Sequence, residues 1–261
     1  MLLFDKFLSA VYLKHYFIQL AKDILIRFPK KVVRFFEFFA EYNKFKSLND
    51  GRFSVDLKDI YPCLADKLKT TPFDQHYTYH PAWAARILAK TRPECHIDFS
   101  SILSFSTIVS AFLPIKFYDY RPADLNLSGL ESNFADLNNL PFEDNSQSSI
   151  SCMHTIEHIG LGRYGDPIDP QGDIKAIQEL KRIVKPGGDL LFVTPVGNSR
   201  IEYNAHRIYS YEQVIKYFDP LQLIEFTLIP DKGGLIENAD VSLVAQQQYG
   251  CGCFWFKKIK K

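Results

Sequence analysis

The sequence has no uninterrupted apolar stretch of the roughly 20 residues needed to span a bilayer, so no transmembrane segment is expected. It has no charge of one sign to spare. Its 31 Lys and Arg stand against 30 Asp and Glu, a formal net charge of +1. That balance argues against a nucleic-acid partner held by bulk electrostatics. A secretory leader is not expected either, because Asp5 and Lys6 interrupt the apolar start Met1-Leu2-Leu3-Phe4 and no small-residue cleavage site comes after it. The five cysteines, Cys63, Cys95, Cys152, Cys251 and Cys253, are odd in number and irregularly spaced. A disulfide framework is therefore not expected, and a reducing, cytoplasmic compartment fits better. Cys251 and Cys253 form a C-x-C with no second Cys/His pair at zinc spacing, so no metal is expected.

What is present is apolar bulk. Hydrophobic residues make up 46% of the 261, and aromatics 15%. That length suits one sizeable α/β domain with an added element. Residues 1–46 carry apolar residues at helical spacing: Phe4, Phe7, Leu8 and Val11, then Phe17, Leu20, Ile24 and Phe28. After a break at Pro29 come Val32, Phe35, Phe36, Phe39 and Tyr42. Basic residues outnumber acidic ones here. Either the segment lies peripherally on an anionic membrane surface, or it is a helical hairpin packed on protein. Residues 1–50 are read as this helical extension and 51–261 as the main domain.

From Glu94 the rhythm alternates. Strands are predicted at Cys95–Phe99, Ile115–Asp119, Asn133–Ala135, Ser148–Met153, Asp189–Thr194, Leu221–Ile229 and Asp240–Gln247. Helices are predicted after Pro81, at Ser104–Phe112, at Ile174–Val184 and from a cap at Ser210 to Phe218. Alternation of this kind implies an α/β fold, a doubly wound and mostly parallel sheet with helices on both faces. The last two strands, joined without a helix, suggest an antiparallel pair.

In such a sheet ligands bind beyond the carboxyl ends of the strands. Asp98, Asp119 and Asp136 stand at three of those ends. Asp119 is placed to accept hydrogen bonds from both hydroxyls of a ribose. Asp136 and Leu137 could hold an adenine, one by its carboxylate and the other by covering a ring face. Alternatively, Asp119 pairs with Arg121 and Asp136 is a turn residue. His154, Glu157 and His158 come after the fourth strand. If helical, His154 and His158 share one face, and a histidine is suited to act as a base near neutral pH. A divalent metal on that histidine pair lacks an identifiable third ligand. The loop Gly160–Gly172 is long enough to be a lid or acceptor-binding element, with Arg163, Tyr164 and Asp166 as sugar-binding groups and His206 completing that side.

The run Ala135-Asp136-Leu137-Asn138-Asn139-Leu140-Pro141-Phe142-Glu143-Asp144-Asn145-Ser146, then His154-Thr155-Ile156-Glu157-His158, then Leu180-Lys181-Arg182-Ile183-Val184-Lys185-Pro186-Gly187-Gly188 resembles the class I S-adenosylmethionine-dependent methyltransferases over roughly residues 94–195. More narrowly, Asp119-Tyr120-Arg121-Pro122, the segment His154–Asp166 and Tyr249-Gly250-Cys251-Gly252-Cys253 resemble a methyltransferase-like domain of unknown function. That family was named from nematode proteins and is also found in bacterial surface-polysaccharide gene clusters. The resemblance implies a seven-stranded sheet of methyltransferase type with S-adenosyl-L-methionine as cofactor, and the first functional expectation is O-methylation of a sugar or glycan intermediate. A catalytically inactive binding protein and a nucleotide-sugar-dependent transferase are the other readings. One departure stands out. The family's glycine-rich loop after the first strand is replaced by Asp98-Phe99-Ser100-Ser101-Ile102-Leu103-Ser104, without glycine. Ser100 and Ser101 are the residues expected to approach the cofactor there. The same lack weakens a nicotinamide dehydrogenase reading. The one Y-x-x-x-K, Tyr42 to Lys46, lies upstream of the sheet, away from where a short-chain dehydrogenase needs it.

Overall fold

A computed structural model describes residues 28–259. The expected helix over residues 4–25 lies outside them. The chain divides into two compact units, Met1–Pro72 and Phe73–Lys261.

In the first unit, α1 (Phe28–Ser47) takes Pro29 into its first turn, where a missing N–H costs no intrahelical bond. Arg34 Nη1 donates to Leu64 O at 3.1 Å, and Tyr42 OH donates to Val55 O at 3.3 Å. These bonds tie the helix to the irregular segment behind it. None of the described helices is long and apolar enough to cross a membrane.

The second unit holds the sheet. Its elements are α2 (Gln75–Thr91), β1 (His96–Asp98), α3 (Leu103–Val109), β2 (Ile115–Asp119), β3 (Leu130–Phe134), β4 (Gln147–Met153), α4 (Gly172–Ile183), β5 (Val184–Val196), β6 (Arg200–Glu202), β7 (His206–Ile208), α5 (Tyr211–Phe218), β8 (Gln222–Ile229) and β9 (Gly250–Lys257). Seven strands form one sheet in the order β3-β2-β1-β4-β5-β9-β8. The pairs from β3 to β5 are parallel, and β9 runs antiparallel to both β5 and β8. This is the Rossmann-like, mostly parallel seven-stranded sheet that the family resemblance implied.

Period-two alternation sorts the core onto two faces. Leu190 and Phe192 of β5 join α4 and α5 through Ala176, Ile177, Leu180, Val214 and Phe218. Leu191 and Val193 join α2 and α3 on the other side, through Trp83, Ile87, Leu88, Phe105 and Val109. Each of the Leu, Ile, Val and Phe side chains among them, once fully buried, contributes about 1.5–3 kcal/mol.

Three predicted elements differ in the structure. Asp240–Gln247 is not a strand. Its residues Val241–Gln246 form a 3-10 turn, begun by Asp240, whose carboxylate accepts from Ser242 N at 2.9 Å. The local Asx bond competes with a strand there, and the aromatic run Gly250–Lys257 takes the sheet position instead. The helix at Pro81 starts six residues earlier, because Asp74 caps it by accepting from Tyr77 N at 3.0 Å, and Pro81 sits inside it. The Lys185-Pro186-Gly187-Gly188 segment belongs to β5 rather than to a helix end. A Cβ on Gly188 would stand 3.0 Å from Gln147 O, so only glycine lets the two strands close there.

A polar chain crosses the sheet's centre. His96 and Asp98, on one face of β1, meet Ser149 and Ser151 of β4. Ser151 Oγ donates to Asp98 Oδ1 at 2.6 Å, so its oxygen accepts from His96 Nε2 at 2.8 Å. His96 Nδ1 must then accept from Ser149 Oγ at 2.7 Å. Ser106 Oγ of α3 donates to the second oxygen of Asp98. Burial holds the His96 imidazole neutral, pushing its pKa down to about 3, and the same burial pushes the Asp98 carboxyl up.

Ser151→Ala leaves both His96 and Asp98 a partner short and should lower the unfolding free energy by about 1–3 kcal/mol in urea titration. Ser148→Ala, close by on the same strand, should change it by less than about 0.5 kcal/mol. Because the folded pKa of His96 is depressed, its stabilising contribution is complete above pH 6.5 and is lost as pH falls towards 3. Asp98 acts with the opposite sign, so the test is a difference. His96→Gln should show a shallower loss of stability over that window than the parent chain, and equal slopes would refute the assignment.

Candidate functional site

The carboxyl ends of β1, β2, β3 and β4 lie along one edge of the sheet, and every candidate residue from the sequence falls on or near it. The structure distributes them unequally.

Asp98 is fully buried, and its carboxylate is taken up by Ser151, Ser106 and the backbone N–H of Ser100. It supports the loop from beneath and has no exposed atom to offer a ligand, which corrects its reading as a cofactor contact. Beyond it the chain continues extended against β4. Phe99 N donates to Ser151 O at 2.9 Å and Ser101 N to Met153 O at 3.0 Å. The Phe99 side chain is buried against Tyr118, with ring centroids 5.8 Å apart. That continued pairing is why no glycine turn is needed. Ser100 is buried too, and its hydroxyl has no protein partner. Ser101 is exposed, with its Oγ 3.4 Å from Tyr77 OH.

Asp119 ends β2 half-buried. Its Oδ1 accepts from Arg121 N at 2.7 Å, and no second protein donor reaches the carboxylate among the described residues. Asp136 Oδ1 accepts from Asn138 N at 2.9 Å, an Asx turn, and Leu137 is half-buried against the core.

His154 is not on a helix. It comes directly after β4 at φ +53°, a left-handed conformation that few non-glycine residues adopt, and its N–H donates to Val193 O at 2.9 Å. The short 3-10 turn Ile156–His158 comes after it. The two histidines therefore do not share a helical face. His154 is buried beneath the first turns of α2, with its ring 5.3 Å from those of His76 and Tyr77 and 5.1 Å from that of His80. Its Nδ1 is 2.8 Å from Glu157 Oε1. Glu157 is fully buried. Burial pushes its carboxyl up, but the hydrogen bond from His154 and the neighbouring histidines outweigh that and hold it low.

His158 stands nearer the surface. Ala205 O accepts from His158 Nδ1 at 2.6 Å and from Arg163 Nη1 at 3.0 Å. The His158 Nε2 lone pair is therefore uncommitted, 3.9 Å from Glu157 Oε1. Burial first, and then the Arg163 charge, lower the pKa of His158 and favour the neutral ring. Rings continue along the edge: His158 to His206 at 6.4 Å, His206 to Tyr249 at 4.7 Å, and Tyr249 to His76 at 5.1 Å. His206 Nε2 is also 3.1 Å from Glu202 Oε2.

The loop Gly160–Gly172 is folded on itself. Asp166 accepts from Gly160 N at 2.7 Å and Tyr164 N at 3.2 Å, one bond to each oxygen, so its part-exposed carboxylate holds the loop together. Gly160, at φ +78°, packs so closely that a Cβ would lie 2.0 Å from Asp169 O. Tyr164 remains 40% exposed between two guanidinium groups, Arg121 at 4.6 Å and Arg163 at 5.1 Å from its ring. The Arg121 stack joins the end of β2 to this loop. One edge thus carries Ser101, Asp119 and Asp136 on one side and His158, Arg163, Tyr164 and His206 on the other.

The sequence reading missed His76, Tyr77, His80 and the role of Tyr249 in this row. The H-x-x-x-H spacing of 76 and 80 was the available signal. That spacing pairs the two rings only on a helix, and a helix that starts at Pro81 leaves both residues outside it.

Residues 132–225 match a family described as Caenorhabditis protein of unknown function, DUF268. No protein of curated function matches the chain. Among solved structures, a Burkholderia thailandensis 1,6-didemethyltoxoflavin-N1-methyltransferase is similar at 8% identity, with a TM-score of 0.51 over 70% of this chain and 79% of that one. The N-methyltransferase NodS of Bradyrhizobium japonicum is 14% identical, with a TM-score of 0.47 over 69% of this chain and 86% of its own. At such identities the likeness concerns the fold alone. The chain has the class I methyltransferase fold, and its segment from β3 to β8 is similar to the DUF268 family.

Proposed function

We propose that the chain is an S-adenosyl-L-methionine-dependent methyltransferase that acts on a hydroxyl group of a sugar or glycan intermediate. The observation that carries this reading is the Arg121–Tyr164 stack at 4.6 Å, which joins the end of the strand bearing Asp119 to a loop with an aromatic and cationic surface. Asp119 would take the ribose hydroxyls, Asp136 and Leu137 the adenine, and Ser101 the methionine end. The cofactor, when bound, supplies an electrophilic methyl group.

The chain's own residues supply the rest. An acceptor hydroxyl that attacks a methyl group must lose its proton. His158 is fit to take it at Nε2, because Nδ1–H is fixed on Ala205 O. The buried Glu157 carboxylate, 3.9 Å away, offsets the positive charge that results. Tyr164 offers a ring face to a sugar, and Arg163 and His206 offer polar contacts beside it. Residues 1–46, with their basic amphipathic pattern, would bring the protein to a membrane surface where lipid-linked glycans are made. A second reading, a binding protein without turnover, is favoured by the buried Asp98 and by the side chains standing where the family has glycine.

The test is formation of S-adenosylhomocysteine by the full chain, with methyl glycosides and short oligosaccharides as acceptors. Where an acceptor turns over, His158→Asn should lower kcat by about 10²–10⁴-fold with little change in KM. A base with a lowered pKa predicts that kcat rises with pH through a midpoint below 6.5 and then stays flat. No turnover with any acceptor, together with retained cofactor binding, would favour the second reading. An unchanged His158→Asn rate would remove His158 from the chemistry.

A further inference from the structure

Three metal-ligating side chains converge where α2, β4 and β9 meet. His76 lies in the first turn of α2, His154 stands immediately after β4, and Cys251 lies in β9. One ligand atom from each lies within 4.8 Å of the others. His154 and Cys251 are fully buried, and His76 is partly exposed. The three positions are 78 and 97 residues apart in sequence, which is why no motif announces them.

The rings of His76, His154 and Tyr249 are stacked, but the histidine nitrogens point to a further partner. His154 Nδ1 is held by Glu157 Oε1 at 2.8 Å, which fixes the proton on Nδ1 and the lone pair on Nε2. That Nε2 is buried with no protein partner. A buried polar atom left alone costs about 1–3 kcal/mol, so a ring positioned this carefully points to a missing partner. A carboxylate on the far nitrogen is also the usual support for a metal-bound histidine. His80 repeats the pattern one turn along: its Nδ1 donates to His76 O at 2.6 Å, and its buried Nε2 is also without a partner. His80 is outside the 4.8 Å group, but its ring is 5.1 Å from that of His154. Ligand atoms around a tetrahedral zinc, with bonds of about 2.0–2.3 Å, stand about 3.3–3.8 Å apart. To close on one ion, the His76 ring must turn out of its stack between His154 and Tyr249, and the Cys251 thiol must turn from Cys253. Two imidazoles and a thiolate are a donor set suited to zinc rather than to magnesium or calcium. The Glu157 carboxylate and a Cys251 thiolate would together balance two positive charges.

We propose that His76, His154 and Cys251 bind a zinc-class divalent cation, with a fourth position left to His80 or water. The metal would pin the first turn of α2 to the ends of β4 and β9. The assignment does not depend on the methyl-transfer reading, and either can fail without the other.

The experiment is a Co²⁺ titration of the full-length chain, stripped with a chelator and kept reduced, and then competition with Zn²⁺. Expected are one equivalent bound, a thiolate-to-cobalt charge-transfer band, and displacement of that band by Zn²⁺. Cys251→Ser should abolish the band, and His76→Ala should weaken binding by more than tenfold. Cys253→Ser and Cys63→Ser should retain both the band and the affinity. Glu157→Gln, which touches the site only through His154, should weaken binding by about 10- to 100-fold. Circular dichroism of each variant identifies any that fail to fold. The proposal is overturned if the folded parent chain binds neither metal. It is also overturned if binding survives both Cys251→Ser and His76→Ala, or if Cys253→Ser rather than Cys251→Ser removes the band.

Discussion

The hydrogen-bonded chain from Ser149 through His96 and Ser151 to Asp98 is the constraint that sets the site's geometry. Hydrophobic burial on the two faces of the sheet is generous but not directional. It brings β1 and β4 together without fixing how they continue. The polar chain fixes the register of β1 on β4, and Ser106 extends it to α3. A slip of one residue would turn His96 and Asp98 to the opposite face, away from their serines. With the register fixed, the segment after Asp98 keeps pairing with β4 as far as Ser101. A glycine turn is then unnecessary, and the departure from the methyltransferase pattern has a structural cause.

The same register governs the turn after β4. Val193 holds His154 N, and the left-handed conformation at His154 carries its ring under α2 while leaving His158 nearer the surface. One short segment therefore holds two histidines with different environments. His154 is enclosed, tautomer-fixed and without a partner on Nε2. His158 has its outer nitrogen uncommitted beside Arg163 and Tyr164. Glu157 faces both rings. This division separates a group suited to proton transfer from one suited to a metal, and the sequence alone, which placed both on one helical face, could not make it.

The fold was largely legible in the sequence, because strand periodicity and the LPF, EH and KPGG segments lie in the parallel core. The errors came where local chemistry competes with pattern. Asp240 looked like the start of a strand, but its carboxylate bonds Ser242 N and turns the chain. Pro81 looked like a helix start, but Asp74 had already capped the helix. The candidate site was legible less completely. Asp119, Asp136 and His158 sit at strand ends or just beyond, as the topology requires. Asp98 has the right residue type and position, yet it is fully buried and its oxygens are engaged by the protein's own donors, which sequence does not reveal. His76 and Cys251 reach His154 through tertiary contacts alone.

The proposed chemistry requires that the edge beyond β1, β2 and β3 bind an adenosine-type cofactor despite its glycine-free loop. The most direct test is titration calorimetry of the full-length chain with S-adenosylhomocysteine, alongside a nucleotide-sugar such as UDP-glucose. Expected are one site for S-adenosylhomocysteine, none for the nucleotide-sugar, and at least tenfold weaker binding by Asp119→Ala. Absence of S-adenosylhomocysteine binding to the folded parent chain, or binding that Asp119→Ala leaves unchanged, would contradict it.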